Sequence, residues 1–86
     1  MKRQEQIRKE ILLQAYAARP LALTVPRITR DSRKQGYDYG PQEIAQELDF
    51  MAEEKLLTLV PSAGSTELHY KISGEGVRNY EQHFAA

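Results

Sequence analysis

Cysteine is absent from all 86 residues, which removes disulfide frameworks, thiolate metal sites and thiol nucleophiles together. A reducing cytosol is compatible with that absence. Long apolar runs are missing too. The opening Met1-Lys2-Arg3-Gln4-Glu5-Gln6 leads into apolar residues broken by Arg8, Lys9 and Glu10, so there is neither a signal-peptide core nor a bilayer-spanning stretch. A cytoplasmic protein that makes no use of a membrane is expected. Histidine is confined to His69 and His83, and no His/Asp/Glu spacing suggests a metal site. Serine, histidine and aspartate all occur, but nothing gathers them at a pocket, for which so small a chain has little room. Gly74-Glu75-Gly76 opens a helix after a strand, yet it lacks the third glycine and the βαβ setting of a phosphate loop. The chain is therefore expected to be no enzyme and to need no cofactor or metal.

What is present fits one small domain, 1–86, with a core that is modest but sufficient. No internal repeat, linker or low-complexity segment interrupts it. A formal net charge of zero hides an asymmetry. Residues 1–35 carry Lys2, Arg3, Arg8, Lys9, Arg19, Arg27, Arg30, Arg33 and Lys34 against Glu5, Glu10 and Asp31, a net of +6; residues 36–86 carry −6. Such a split has two readings. One half presents a nucleic-acid face, or the two halves (of one chain or of two copies) attract each other.

Hydrophobic spacing predicts a first helix from Arg3 to Ala18, with Ile7, Ile11, Ala15 and Ala18 on one face. Leu12, Leu13 and Tyr16 make it apolar on a second side, which calls for a second partner, either the final helix or another subunit. Arg19-Pro20 ends it. Leu21-Ala22-Leu23 reads as a brief strand or extended link. Thr24 is a good N-cap for a second helix, Val25 to Gln35, with Pro26 tolerated in its first turn and Gly36 as its stop. That helix is polar, with Val25 and Ile28 as its anchors.

After the loop Tyr37-Asp38-Tyr39-Gly40, Pro41 suits the first position of a third helix. Ile44, Leu48, Met51 and Lys55 are expected on one side of it, with Ala45 and Ala52 beside them, and Gln42, Gln46, Asp49 and Glu53 opposite. Leu57 and Leu59, then Leu68, Tyr70 and Ile72, alternate with other residues as half-buried strands do. Turn material, Pro61-Ser62-Ala63-Gly64-Ser65-Thr66, separates them. Ser73 is expected to cap a last helix from Gly74 to Phe84, striped by Val77, Tyr80 and Phe84.

The resulting order is helix, short strand, helix, helix, hairpin, helix. The run Leu56-Leu57-Thr58-Leu59-Val60, a turn, then Leu68-His69-Tyr70-Lys71-Ile72-Ser73-Gly74-Glu75-Gly76 resembles the wing of small bacterial and phage winged-helix regulators. There, an aromatic, an aliphatic and a Ser/Thr end the second wing strand, and an acidic residue and a glycine open a C-terminal helix. The fold expected is α+β, mainly α: a three-helix core with a β-hairpin wing and a C-terminal helix.

In regulators of that superfamily the third helix enters the major groove and the wing meets the backbone or minor groove. The resemblance thus implies that Gln42 and Gln46 face bases; a glutamine can pair with the edge of adenine. The family pattern is broken by Glu43, Glu47 and Asp49 nearby, by the absence of arginine from the third helix, and by a wing turn without a basic residue. On the second helix, Arg27, Arg30 and Lys34 share a face with Arg33 beside them, a set able to hold phosphates, with Lys2 and Arg3 as a mobile arm. A solvated helix face moderated by Asp31 is the plainer reading. Tyr37 and Tyr39 are expected to plug the gap between helices with their hydroxyls outward.

Two functions follow. The first is a transcription regulator binding duplex DNA as a homodimer, paired through Leu12, Leu13 and Tyr16 with Val77, Tyr80 and Phe84. The second is a protein-interaction module, with Glu43, Glu47, Phe50 and Glu54 of the acidic third helix meeting a basic, apolar partner.

Overall fold

A computed structural model describes residues 2–61 and 66–84. The chain is α+β and mainly α, with helices α1 (Arg3–Ala18), α2 (Val25–Lys34), α3 (Pro41–Glu53) and α4 (Gly74–His83) and strands β1 (Leu57–Val60) and β2 (His69–Ile72).

Each helix end has a chemical cause. Arg19, pushed to ψ 140° ahead of Pro20, closes α1. The Thr24 side chain accepts from the Arg27 N–H and starts α2. Gly36, at φ 91°, stops α2; its N–H bonds the Arg33 carbonyl while the Tyr37 N–H reaches back to Ser32, a paired closure that needs a left-handed residue. Pro41 opens α3, where the Glu43 carboxylate accepts from the Gly40 N–H at 3.1 Å. Ser73 Oγ accepts from the Gly76 N–H at 2.9 Å and caps α4.

The end of α3 corrects one expectation. Lys55 is not part of the third helix. The helix stops at Glu53 and Lys55 turns left-handed at φ 65°. The Lys55 and Leu56 N–H groups close onto Ala52 and Met51, the same bonding that ends α2, here with a lysine in the position glycine prefers. This stop turns the chain into β1.

The two strands pair antiparallel in the register Leu57↔Ile72, Thr58↔Lys71, Leu59↔Tyr70 and Val60↔His69. Most of the expected turn, 62–65, lies outside the described residues. Leu23 adds a single bridge on the other side of β2, exchanging two backbone bonds with Tyr70. Tyr70 is thus flanked on both sides and buried, whereas its cross-strand neighbour Leu59 stands on the outer strand and is 50 % exposed. Leu68 precedes β2 and is 53 % exposed. The expected inward row is therefore shortened to Leu57, Tyr70 and Ile72, because only the base of the hairpin reaches the helices.

Ile7, Ile11, Ile28, Ile44, Leu48 and Met51 are each no more than 1 % exposed and form the centre of the core. Each contributes about 1.5–3 kcal/mol through burial. Gly76 lets α4 approach that core, since a Cβ there would collide with the Leu56 carbonyl and lie 2.7 Å from Ile72 Cγ1. Among the described residues no helix is long and apolar enough to cross a membrane.

The second apolar side of α1 finds its partner within the chain. Leu12 is buried in the core. Tyr16 stacks on Tyr80 with ring centroids 4.1 Å apart, the Arg19 guanidinium lies 3.7 Å from its ring centre, and its hydroxyl donates to Glu81 at 3.0 Å. Val77 and Tyr80 are partly buried against the core. Of the six residues expected to pair two copies, only Leu13 and Phe84 remain substantially exposed, at 39 % and 40 %. α4 covers most of what a second subunit was expected to cover.

Candidate nucleic-acid interface

Electrostatics divide the basic half of the chain into two regions. The first is the seam between α1 and α3. Arg3 does not form a mobile arm: its guanidinium donates to both oxygens of Glu43, at 2.6 and 3.0 Å, and reaches Asp38 at 3.4 Å. Hydrogen bonding from Arg3, reinforced by the Gly40 N–H, lowers the Glu43 carboxyl from its ordinary 4.5 to about 2. One turn along, Arg8 donates to Glu47 at 2.9 Å. Glu47 is buried and Arg8 half-buried. The Arg8 guanidinium also sits 4.7 Å from the ring centre of Phe50. Glu43, Glu47 and Phe50, of the stripe expected to meet a protein partner, are thus engaged by α1, leaving Glu54 as its one member with no such contact among the described residues.

The second region is α2. Arg27, Arg30 and Lys34 lie 3.8, 3.5 and 4.0 Å from one carboxylate, Asp31. Arg33 makes no ion pair among the described residues. Spacings of four and three residues put Arg27 and Lys34 on the flank of Asp31, and Arg30 reaches the carboxylate as its sequence neighbour. The cations stay wet: the side chains of Arg30 and Lys34 are 65 % and 70 % exposed. Pairs this exposed and this long hold their partners weakly.

Arg30, Arg33 and Lys34, with Val25, Pro26 and Thr29, line an open groove of about 590 Å³ that ends at Pro41, the first residue of α3. Gln42 and Gln46 are exposed on α3, one helical turn apart. They are not part of that groove; they extend along the helix that begins at its end. The same exposed row continues through Asp49 and Glu53, and Asp49 accepts a hydrogen bond from the Tyr70 hydroxyl at 3.2 Å. Burial, with help from Asp49, raises the Tyr70 phenol above its ordinary value.

Among the described residues no three His, Asp or Glu side chains gather as a metal site. His69 faces the Glu67 carbonyl at 3.0 Å, and His83 lies near Phe84.

The residues that sequence reasoning undervalued are Arg3 and Arg8. Their signal was the charge asymmetry between the two halves of the chain, with Arg3 and Arg8 on the basic half and Glu43 and Glu47 on the acidic one. It was legible only as a general attraction between the halves of the chain.

Compared with protein-family models, with curated proteins and with solved structures, the chain matches none.

Proposed function

We propose that this chain is a winged-helix protein that binds duplex DNA, of the transcription-regulator kind. Support for the fold comes from the order of elements and from the Leu23–Tyr70 bridge, which adds the short strand after α1 to the hairpin and joins wing to helices. Support for the ligand comes chiefly from one observation: three cations on α2 share one carboxylate, Arg33 beside them makes no ion pair among the described residues, and Arg30, Arg33 and Lys34 line the groove that leads to α3. Charge left over on a rigid helix is what a polyphosphate backbone neutralises. In this reading Arg27, Arg30, Arg33 and Lys34 hold phosphates, and Gln42 and Gln46 meet base edges in the major groove.

The rival reading, an acidic third helix docking a protein, draws less support. Glu43 and Glu47 already have arginine partners, and Arg8 covers Phe50. A homodimer on a palindromic site would need a surface other than the Leu12/Tyr16/Tyr80 set, which is spent inside one chain.

A titration of random-sequence duplex DNA at two salt concentrations tests the proposal. Binding in the micromolar to 100 µM range at moderate salt, falling with a log–log slope of about three, matches three to four neutralised phosphates. No retardation of duplex DNA even at low salt excludes it.

A further inference from the structure

Three carboxylates of α3 break the pattern of a groove-reading helix: Glu43, Glu47 and Asp49. Arg3 and Arg8 hold the first two on the flank that meets α1. Asp49 has no ion pair among the described residues. It is exposed, and it stands in one row with the exposed Gln42 and Gln46.

What Asp49 has instead is Tyr70, whose hydroxyl donates to its Oδ1 at 3.2 Å. Tyr70 is a firm anchor. It is 4 % exposed within the core, and its backbone exchanges bonds of 2.6 and 2.8 Å with Leu23. Buried tyrosine hydroxyls usually find a partner, yet the other buried tyrosine does not. Tyr39 plugs the gap between helices as expected, but its hydroxyl is buried and meets no donor or acceptor, rather than facing outward. The Tyr70 bond therefore ties one carboxylate of the exposed row to the base of the hairpin and narrows its freedom to turn.

Positions 42, 46 and 49 follow one another at four and three residues, so one flank of α3 carries all three. At a rise of 1.5 Å per residue, Asp49 lies about 10 Å beyond Gln42, about three base-pair steps of 3.4 Å. An ionised carboxylate offers acceptors only. In the major groove guanine presents N7 and O6, both acceptors. Thymine presents O4 and a methyl group, and adenine sets N7 beside its amino group. Cytosine alone presents a donor, the N4 amino group, without an acceptor. Over guanine or thymine the carboxylate loses water and gains no donor, which is costly. Repulsion from phosphates lowers affinity for every sequence alike; the penalty against wrong bases is what discriminates between sequences.

We infer that Asp49 is a specificity-determining residue that selects cytosine about three base pairs from the base met by Gln42, with Tyr70 as the positioning residue that holds its carboxylate. This inference rests on the nucleic-acid reading above and names the kind of sequence that reading leaves open.

The test is selection of bound sequences from a random duplex library by the full chain, then titration of a selected duplex and its single-base variants. Selected sequences should carry cytosine about three base pairs from the position whose preference is lost on Gln42→Ala. Replacing that cytosine should weaken binding about five- to tenfold, toward the low end of the cost of one base-pair change. Asp49→Asn keeps an acceptor for Tyr70 and should move the preferred base there to adenine, which an asparagine pairs through N6 and N7, with the other positions unchanged. Tyr70→Phe should reduce the cytosine preference several-fold and leave the preference at the Gln42 position intact. A hydroxyl serving the fold alone would not move one position and spare the other. Duplex binding with no base preference, or with preferences indifferent to Asp49→Asn, overturns the inference and spares the nucleic-acid reading. A Tyr70→Phe protein with the cytosine preference intact overturns the assignment of Tyr70. Failure to retain any duplex even at low salt overturns the inference and the reading together.

Discussion

Along the α1–α3 seam each arginine has its own carboxylate, Arg3 with Glu43 and Arg8 with Glu47; on α2, among the described residues, Arg27, Arg30 and Lys34 share Asp31 and Arg33 has no ion pair. The residue types are the same and the distances differ by an ångström or less for the closest pairs. What differs is supply. Two carboxylates of the −6 half, Glu43 and Glu47, stand on the flank of α3 that faces α1 and meet its arginines there. α2 contacts α3 with Ile28, Thr29 and Ser32 turned inward, so its cations meet no acidic helix. Charge asymmetry in a sequence thus resolves into a structural part and a free part, and only the free part is available to a ligand.

Breaking the free region should have the largest effect on function. Arg30→Ala with Arg33→Ala is expected to weaken duplex binding by one to two orders of magnitude at moderate salt, as two phosphate contacts are lost. Thermal stability should move by less than about 0.5 kcal/mol, as for exposed surface changes generally. Breaking the seam should do the reverse. Glu47→Ala leaves the half-buried Arg8 guanidinium without its partner and is expected to cost about 2 kcal/mol in a denaturant melt.

Asp31→Asn sharpens the contrast from the other side. Removing the single carboxylate from α2 should tighten duplex binding a few-fold at low salt while stability changes little. The smallest effect is one of pH. Glu43 titrates lower in the folded chain than in the unfolded one, so its stabilisation is present above about pH 4.5 and is lost as pH falls toward about 2. An acid titration followed by circular dichroism should show Glu43→Gln with a shallower loss of stability across that window than the parent chain.

Much of this architecture was legible because its punctuation is local. Thr24, Gly36, Pro41 and Ser73 each act on their own few neighbours, and each stands at a helix end as its chemistry requires. Lys55 was not legible, because a left-handed lysine carries none of the marks of a glycine stop. Leu59 and Leu68 alternate correctly for a half-buried strand, yet alternation does not tell how far the helices extend beneath the hairpin. Leu12 and Tyr16 announce a second apolar face of α1 without saying whether α4 or another chain covers it. The candidate site divides in the same way. The spacing of Arg27, Arg30 and Lys34 on one flank could be counted from the sequence. That Arg3 and Arg8 would disarm Glu43 and Glu47 rests on how α1 crosses α3, which no local pattern records.

The division of charge is tested most directly by the salt dependence of duplex binding in three proteins: the parent chain, Arg3→Ala, and Arg30→Ala with Arg33→Ala. The log–log slope should be unchanged for Arg3→Ala and should fall by about two for the α2 pair. Equal slopes for all three, or a drop confined to Arg3→Ala, would place the free charge elsewhere and contradict the account.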